Sequence, residues 1–352
     1  MTETEPNRYF SRMTTVPGIG KTGLHKLQSA KVAVVGVGGV GSSISYYLAQ
    51  SGIGHLRMID QDIVEPSNLH RLQGLDRSDL YHPKAEALAD SLNRLVPSSR
   101  FEAVVDTLRS ANVSELLGGS DVIVDGLDNF RTRFILNRHS VRTSTPYVFT
   151  SAVQNQGHVG VFSPPETACL ECRFDGIIDG PQNSCETLGV TPVITGLIGA
   201  VAAGETVKLI LALSSNELGR IMTIDALTSD FILTRIAKRE DCKTCGQPRV
   251  PEEGSKAEIL AVLCGGKTFN VLSRLSDVDL VRASGLVPES SILASTRSVL
   301  VFRKGKVTVS LFKSGRILVD GVEDRDEALR IARDATSLGA KPVSAIPSQQ
   351  SV

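Results

Sequence analysis

A glycine-rich turn after a short apolar run is the sequence feature that most constrains this fold. Val32–Val35 predicts a buried strand, and Gly36, Gly38, Gly39 and Gly41 follow it directly. Three of these glycines have the G-x-G-x-x-G spacing, which allows a tight turn, close approach of a phosphate and close helix packing. A helix predicted at Gly41–Ser51 would point its first N–H groups at that phosphate. The feature therefore predicts the strand, turn and helix of a nucleotide-binding α/β domain.

Apolar strands and amphipathic helices alternate through about the first 150 residues. Leu56–Ile59 and Val122–Asp125 predict strands, whereas Lys84–Leu95 and Asn129–Arg142 predict helices. Such alternation is typical of a Rossmann-like, mostly parallel sheet with helices on both faces. Ligands of such sheets bind at the carboxyl ends of the strands. We therefore expect one crevice to collect the residues that follow these strands.

The residues that follow the glycine turn argue against a nicotinamide site. Asp60 lies at about the distance at which an acidic residue binds a ribose hydroxyl. A second carboxylate, Asp62, and two cations, Arg71 and Lys84, come after it. This combination favours a triphosphate with a metal ion. A nicotinamide-dependent dehydrogenase is the weaker alternative, which NAD-dependent fluorescence changes without ATP binding would support.

Composition excludes several classes of partner. Lysine plus arginine equals aspartate plus glutamate at 38 each, so no net charge would attract the chain to nucleic acid or membranes. The longest apolar stretch, Val190–Ala203, is shorter than the roughly 20 residues of a membrane span. The first residues are acidic and polar, unlike a secretory signal. We expect a soluble, cytoplasmic protein.

The sequence divides into five predicted parts. Residues 1–30 form an N-terminal arm, 31–247 the nucleotide-binding domain, 248–256 a linker, 257–340 a small α+β domain and 341–352 a flexible tail. Within the large domain, Val190–Leu213 predicts a long helix. Within the small domain, Ser298–Val322 predicts three short strands and Asp324–Leu338 a helix.

Four cysteines form two C-x-x-C pairs. The pairs are Cys169/Cys172 and Cys242/Cys245. Four thiolates suit a tetrahedral Zn²⁺ site with no open position for catalysis. The ion would then join two segments that are distant along the chain, which is a structural role. A redox pair is the weaker alternative, because it needs one C-x-x-C in a thioredoxin-like context.

The motifs taken together resemble the ubiquitin-activating enzyme superfamily, including the ThiF-, MoeB- and HesA-type adenylyltransferases that activate sulfur carriers. The resemblance covers roughly residues 8–247. Its elements, in chain order, are Arg8-Tyr-x-x-Arg12, Gly36–Gly41, Asp60-x-Asp62, Ser67-Asn68-x-x-Arg71, Pro83-Lys84, Asp128-Asn129, both cysteine pairs, and Cys185 ahead of Gly189-Val190. So many elements in order make the resemblance specific, whereas the glycine turn alone would be weak.

The resemblance implies a reaction and a set of site residues. The C-terminal carboxylate of a small ubiquitin-like or sulfur-carrier protein ending in Gly-Gly would attack the α-phosphate of ATP, releasing pyrophosphate. The implied nucleotide site comprises Gly36, Gly38, Gly39, Gly41, Asp60, Asp62, Asn68, Arg71, Lys84, Asp128 and Asn129. Asp60 would bind the ribose, Asp128 would bind Mg²⁺, and Asn68, Arg71 and Lys84 would bind the phosphates. In a homodimer, Arg12 would enter the partner's site as an arginine finger, with Arg8 as the alternative.

Cys185 is the implied nucleophile of a second step. Its position matches the cysteine that forms a thioester with ubiquitin-like proteins, or a persulfide or acyl-disulfide with sulfur carriers. A thiol at a helix N-terminus has a lowered pKa and is activated as a nucleophile. The alternative is a cysteine that is inert or is not needed after adenylation.

These residues rank the possible functions. The first is activation of a ubiquitin-like protein, with transfer to Cys185 as a thioester for conjugation and a conjugating enzyme as a further partner. The alternative is activation of a sulfur carrier for thiamine, molybdopterin or tRNA thiolation. A tRNA-modifying adenylating enzyme is less favoured, because the chain has no basic stripe. A non-catalytic subunit is disfavoured by the presence of Arg71, Lys84, Asp128 and Cys185 in one chain.

Overall fold

The computed structural model describes residues 8–180, 185–213, 218–246, 260–262, 268–272 and 277–339. It has two compact units, Met1–Ser255 and Lys256–Val352, and each is described by itself. The predicted linker at 248–256 and tail at 341–352 lie outside the described residues. The predicted domain boundaries remain predictions.

The first unit is built on an eight-stranded sheet. Its strands are β1 (Lys31–Val35), β2 (His55–Ile59), β3 (Arg100–Val104), β4 (Val122–Asp125), β5 (Tyr147–Val153), β6 (Gln156–Phe162), β7 (Arg220–Asp225) and β8 (Asp230–Arg235). The spatial order is β3-β2-β1-β4-β5-β6-β7-β8. The strands from β3 to β5 are parallel, and β6, β7 and β8 pair in antiparallel fashion. The predicted mostly parallel sheet is confirmed.

Helices cover both faces of this sheet, as predicted. They are α1 (Gly20–Ser29), α2 (Gly39–Gln50), α3 (Lys84–Leu95), α4 (Val113–Leu117), α5 (Phe130–Thr143), α6 (Leu170–Phe174), α7 (Cys185–Leu188) and α8 (Pro192–Leu211). The side chains of β1 contribute to the cores on both faces of the sheet, because successive strand residues point to opposite faces. Val32 and Val34 belong to the core that α2, α3 and α8 cover, whereas Ala33 and Val35 pack in the layer that contains α5.

The long helix α8 lies within the stretch Val190–Leu213 that predicted it. It has 20 residues, and its length and apolar composition would also suit a membrane span. The apolar stretch Val190–Ala203 is shorter than 20 residues, and the helix reaches that length by continuing past Ala203 through Gly204 and Glu205. In the fold α8 packs on α2, and a Cβ on Gly199 would lie only 2.4 Å from the Cβ of Ser43. Such close contact with the nucleotide-binding helix is typical of a core helix.

The part of the second unit that the structure describes is a six-stranded antiparallel sheet with two helices. Its elements are β9 (Leu260–Val262), β10 (Thr268–Leu272), α9 (Leu280–Leu286), β11 (Ile292–Ser295), β12 (Val299–Lys304), β13 (Val307–Phe312), β14 (Arg316–Asp320) and α10 (Arg325–Gly339). The strand order is β11-β12-β13-β14-β10-β9. Apolar residues of α10, among them Ala328 and Ile331, pack in one core with Leu311 and Ile317 of the sheet. The three strands and the helix predicted here are confirmed.

Candidate active site

A cleft opens at the carboxyl ends of β1, β2 and β4, where the strand order reverses between β1 and β4. It encloses about 960 Å³, part of which is open to solvent. Nine of the residues predicted for the nucleotide site line it: Gly36, Gly38, Gly39, Asp60, Asp62, Arg71, Lys84, Asp128 and Asn129. The fold thus brings most of the predicted set to one place, and the role of each residue remains a proposal.

The glycine turn is held by close backbone contacts. Gly36 has φ +82°, and a Cβ on it would lie 2.8 Å from the carbonyl oxygen of Gly126. A Cβ on Gly41 would lie 1.8 Å from the carbonyl oxygen of Gly36. Gly41 is outside the cleft lining, so its lack of a side chain serves packing between α2 and the turn. By contrast, Gly38 has open space around it and faces the cleft.

Arg71 lies across the glycine turn. A Cβ on Gly39 would lie 3.2 Å from the Cγ and Cδ atoms of Arg71, so the glycine leaves room for this side chain. The Arg71 guanidinium donates through Nη1 to the carbonyl oxygen of Ser67 at 2.9 Å. Asn68, in the same turn, donates through Nδ2 to Ser67 Oγ at 3.1 Å and lies outside the lining. Of this predicted pair, the structure brings only Arg71 to the cleft.

Asp60 joins the ends of two strands. One carboxylate oxygen accepts a hydrogen bond from Val37 N and the other from Asp62 N, each at 2.7 Å. Asp60 therefore fixes the glycine turn to the residues after β2, in addition to its predicted ribose contact. Burial, together with the charge of Asp62, raises the pKa of Asp60 to about 6. Asp60 is thus poised to titrate just below neutral pH.

Lys84 is a largely buried cation of the cleft, with 11% of its side chain exposed. It is the first residue of α3, and its Nζ lies 3.4 Å from Asp62 Oδ2. Burial alone would lower the pKa of Lys84, but the nearby carboxylates of Asp62 and Asp60 raise it by more than burial lowers it. The pKa of Lys84 is therefore above its ordinary value. The lysine therefore remains charged at neutral pH, although a solvated position would be usual for a lysine on an amphipathic helix.

Asp128 and Asn129 form the turn between β4 and α5. Asn129 caps α5, with its Oδ1 accepting from Thr132 N at 2.9 Å, and its Nδ2 donates to Asp128 Oδ1 at 3.2 Å. Asp128 is exposed toward the cleft. An exposed carboxylate beside an amide at the cleft wall is a donor set that fits Mg²⁺, an ion that prefers oxygen ligands.

A buried ion pair that sequence reasoning missed supports this turn. Arg133 Nε donates to Asp125 Oδ2 at 3.1 Å, and Tyr147 OH donates to the same oxygen at 2.8 Å. Arg133 also donates to the carbonyl oxygens of Leu127 and Thr150. Burial raises the pKa of Asp125, and Arg133 opposes that rise. The signal was a charged residue ending an apolar strand, followed eight positions later by an arginine.

Polar residues after β3 complete the cleft wall. Asp106 and Thr107 line it, together with Gln61, and Thr107 Oγ1 donates to Gln61 Oε1 at 2.5 Å. None of these three was among the predicted site residues: Asp106 and Thr107 follow β3, which was not predicted, and Gln61 lies between Asp60 and Asp62 after β2. The cleft lining therefore carries four carboxylates, from Asp60, Asp62, Asp106 and Asp128, and two cations, from Arg71 and Lys84.

Two predicted residues fall elsewhere. Arg12 is exposed on the N-terminal arm and, like Arg8, lies outside the cleft lining of its own chain. Cys185 begins α7, and its side chain lies outside the described residues. The predicted roles of Arg12 and Cys185 therefore remain predictions, because the cleft of one chain does not test them.

The four paired cysteines converge on one point. Their sulfur atoms all lie within 4.8 Å of one another, with 3.6 Å between Cys169 and Cys242 and 3.4 Å between Cys172 and Cys245. A disulfide would need about 2.05 Å, whereas a tetrahedral Zn²⁺ with bonds of about 2.3 Å separates its sulfurs by about 3.8 Å. The donor set therefore fits Zn²⁺.

Groups around the cysteines also fit a metal centre. Asn137 donates through Nδ2 to Cys169 Sγ at 3.5 Å, and Arg239 N donates to Cys172 Sγ at 3.5 Å. Contacts with Cys172 and Cys245, together with burial, raise the pKa of the Cys169 thiol. Four close, mostly buried sulfurs ionise together only with a cation among them. Thiolate binding to an ion would supply that charge.

Comparison with known proteins gives a family match. The profile described as the ThiF family matches residues 10–245, which include the cleft and all four paired cysteines. A sulfur carrier protein adenylyltransferase from Thermus thermophilus is 33% identical over 258 residues, covering 72% of this chain and 95% of the relative. A SAMP-activating enzyme E1 from Haloferax volcanii is 35% identical over 245 residues, covering 69% and 90%.

The fold also matches a solved structure. A crystal structure of Escherichia coli MccB with AMPCPP and MccA superposes with a TM-score of 0.61 at 22% identity, covering 70% of this chain and 76% of that one. At that identity the similarity concerns the fold alone.

Proposed function

The chain belongs to the ThiF family and is an ATP-dependent adenylyltransferase, and from that premise we propose that it activates a small ubiquitin-like sulfur carrier. The acceptor of the adenylyl group would be the C-terminal glycine carboxylate of the carrier. The observation that carries the proposal is the cleft, where a phosphate-compatible glycine turn lies beside Arg71, Lys84 and Asp128. The Thermus relative, named for the same activity, supports the sulfur-carrier assignment.

The charges of the cleft suit an attack by a carboxylate on a phosphate. Two like unit charges 4 Å apart repel by about 4 kcal/mol at an effective dielectric constant near 20. Lys84, held charged by its neighbours, and Arg71, lying across the glycine turn, would offset that repulsion. The oxygen of the carrier carboxylate bonds to the α-phosphorus as the bond to pyrophosphate breaks. In such transfers, positioning and charge stabilisation provide most of the catalysis.

Mg²⁺ fits the surplus of carboxylates in the cleft. Four carboxylates and two cations would repel a triphosphate if no further positive charge were present. Asp128, with Asn129 beside it, would hold the ion, which supplies positive charge to the phosphate oxygens. Asp60, already bound to the turn through Val37 N, would accept from a ribose hydroxyl. We assign Zn²⁺ at the four cysteines a structural role only.

ATP–pyrophosphate exchange tests the proposal. We expect exchange only when a carrier protein ending in Gly-Gly from the same genome is added, and none with a carrier that lacks the last glycine. Replacing Lys84 by methionine should slow exchange about 100-fold or more, as loss of a transition-state donor does. Lys21→Met, in the exposed part of α1, is the matched control. Absence of exchange with every carrier of that genome would overturn the proposal.

Arg12 is proposed to act in the cleft of a second copy in a homodimer. Its exposure outside its own cleft is what this role needs. Arg12→Ala and Lys84→Met should each have strongly reduced activity alone. A mixture should recover part of the activity, because one cleft of the mixed dimer keeps both residues. Recovery with Arg8→Ala in place of Arg12→Ala would move the role to Arg8. No recovery with either variant would contradict an arginine that acts in the cleft of the second copy.

A second candidate function is conjugation of a ubiquitin-like protein through Cys185. The Haloferax relative, named a SAMP-activating enzyme E1, favours it. The thiolate of Cys185 would bond to the carrier's C-terminal carbonyl carbon as the bond to AMP breaks and AMP leaves. Mass spectrometry of the carrier–enzyme adduct separates the two candidates: a thioester supports conjugation, and an acyl-disulfide supports sulfur transfer. Cys185→Ala should retain exchange and lose the adduct.

A further inference from the structure

Asp179 binds the first turn of α5 with both carboxylate oxygens. Phe130 N donates to Asp179 Oδ1 at 2.6 Å, and Arg131 N donates to Oδ2 at 2.9 Å. These are the first two residues of a 14-residue helix, whose free N–H groups and partial positive charge favour an anion. A side chain 48 residues away in sequence therefore occupies the position that a phosphate could take at this helix. Residues 175–179, which lead from α6 to this contact, are called the entry segment below.

Phe130 is held from a second side as well. The ring of Phe174, at the end of α6, lies 5.3 Å from the ring of Phe130. Arg133, which holds the turn before α5 through Leu127, lies with its Cζ 5.1 Å from the centre of the Phe130 ring. Phe130 thus contacts Phe174, just before the entry segment, and Asp179, the last residue of that segment. Phe130 lies two residues after Asp128. Asp179 is in this way connected to the wall of the nucleotide cleft.

The chain is fixed again just after α7. Gln154 N donates to the carbonyl oxygen of Gly189 at 2.8 Å, and Thr191 N donates to the carbonyl oxygen of Gln154 at 3.0 Å. Val190, between them, lines the cleft. Cys185 lies four residues before Gly189, so at most about 3.6 Å per residue, or about 14 Å, separates their Cα atoms. Both ends of the chain that carries Cys185 are thus attached to the cleft.

We propose that Asp179 is a positioning residue, which attaches the segment leading to Cys185 to the N-terminus of α5 beside Asp128. The proposal rests on the proposed transfer of the carrier from AMP to Cys185. With Asp179 bound, six residues separate the anchor from Cys185, a reach of about 22 Å. Without it, the next contact on the N-terminal side is that of Asp175, which accepts from Arg239 Nη2 at 3.4 Å. Ten residues then lead from that contact to Cys185, a reach of about 36 Å, while the Gly189 contact limits the segment from the other side only.

The added length has a defined effect on the second step. Cys185 must attack the carbonyl carbon of the adenylate bound in the cleft, and misplacing a reacting group by 1 Å can cost about 100-fold. The turn that carries Asp128 is also held by the Asp125–Arg133 pair, which does not involve Asp179. Loss of Asp179 should therefore slow transfer to Cys185 while adenylation continues.

The experiment compares the wild type with Asp179→Ala, Asp179→Asn and Asp279→Ala in the full chain. Asp279 caps α9 in the second unit by accepting from Arg282 N, so its removal deletes a similar helix cap outside the first unit. Three quantities are measured: deuterium exchange at the Phe130 and Arg131 amides, carrier-dependent ATP–pyrophosphate exchange, and the rate of adduct formation at Cys185. Thermal unfolding of each variant verifies that it is folded.

The expected result is a split between the two steps. Asp179→Ala should deprotect both amides and slow adduct formation about tenfold, the fold-change for losing a helix cap of about 1.4 kcal/mol. Its pyrophosphate exchange should match the wild type. Asp179→Asn should lie between the two, because its amide oxygen accepts from only one N–H well, and Asp279→Ala should change none of the three.

Three results would overturn the inference. Amides that stay protected in Asp179→Ala show that Asp179 does not hold α5. Deprotected amides with an unchanged adduct rate show that this contact does not position Cys185. A wild type that forms no adduct removes the step on which the inference rests. A wild type without pyrophosphate exchange contradicts the proposed function instead, and deuterium exchange still reports the Asp179 contact in that case.

Discussion

Asp60 shows how one residue serves both the fold and the site. Its two carboxylate oxygens accept from backbone N–H groups of the glycine turn and of Asp62, while burial raises its pKa to about 6. The spacing of Asp60 from the glycines predicted a carboxylate at the ribose. It did not predict that this carboxylate also holds the turn, because that contact depends on how β1 and β2 pair.

The pH dependence of ATP affinity follows from this position. A ribose hydroxyl donates best to the ionised carboxylate, so wild-type affinity should fall as the pH drops through about 6. In Asp62→Asn a like charge is lost, and Lys84, which lowers the pKa of Asp60, loses its partner. Both changes lower the pKa of Asp60, so the loss of affinity should move to lower pH.

Titration calorimetry from pH 5 to pH 8 measures both curves. ATP itself takes up protons in this range, but it does so equally with either enzyme, so the difference between the curves reports the protein. Equal midpoints for wild type and Asp62→Asn would show that Asp60 does not cause the loss of ATP affinity at low pH.

At the scale of the elements, two glycines of the turn have different roles: Gly41 allows close packing, and Gly38 faces the cleft. An alanine Cβ at Gly41 would lie 1.8 Å from the Gly36 carbonyl oxygen, so Gly41→Ala should cost at least about 3 kcal/mol of unfolding free energy. Gly38 has φ −68° and open space, so Gly38→Ala should cost within about 1 kcal/mol. Its methyl group would instead enter the cleft and weaken ATP binding.

Urea unfolding and ATP titration of the two variants test this separation. The expected pattern is a destabilised Gly41→Ala and a stable Gly38→Ala with reduced ATP affinity. A Gly41→Ala variant as stable as the wild type would show that the turn and α2 are not packed as closely as described.

The elements that sequence predicted are those with a strong local pattern. β1, β2, β4, α3 and α5 have apolar runs or helical periodicity, and their positions agree with the structure within a few residues. β3 and β8 were missed because their sequences, Arg-Phe-Glu-Ala-Val and Asp-Phe-Ile-Leu-Thr-Arg, mix charges with apolar residues at the sheet edges. Since Asp106 and Thr107 follow β3, their place in the cleft was missed with it.

Site residues that belong to sequence motifs could be predicted, whereas those brought together by the pairing of strands could not. Lys84 and Asp128 came from a known constellation, and the fold places both in the cleft. The Asp125–Arg133–Tyr147 network depends on β4 and β5 being neighbours. The spacing of Asp125 and Arg133 hints at their pairing, but nothing in one sequence places Tyr147 beside them or Asp179 on α5.

At the scale of the first unit, the four cysteines join two segments that are 70 residues apart along the chain. Cys169 and Cys172 flank the start of α6, and Cys242 and Cys245 follow β8. We expect about one zinc ion per chain by elemental analysis, as for a four-thiolate site. Cys169→Ser should lose the ion and lower the melting temperature, whereas Cys185→Ser should keep both. A zinc-free wild type of normal stability would contradict the assignment.

At the scale of the whole molecule, the second unit should be dispensable for adenylation. Every residue proposed for the cleft and every paired cysteine lies before Ser255, and the ThiF match ends at residue 245. The Thermus relative is covered to 95% by a match of only 258 residues, so almost its entire length corresponds to a stretch the size of the first unit. A fragment of residues 1–255 should therefore fold and retain carrier-dependent pyrophosphate exchange within about tenfold, or 1.4 kcal/mol, of the full chain. Exchange by fragment and full chain is compared at equal zinc content, since the zinc site lies inside the fragment. A folded, zinc-loaded fragment that has lost more than this would assign the second unit a part in carrier binding or adenylation.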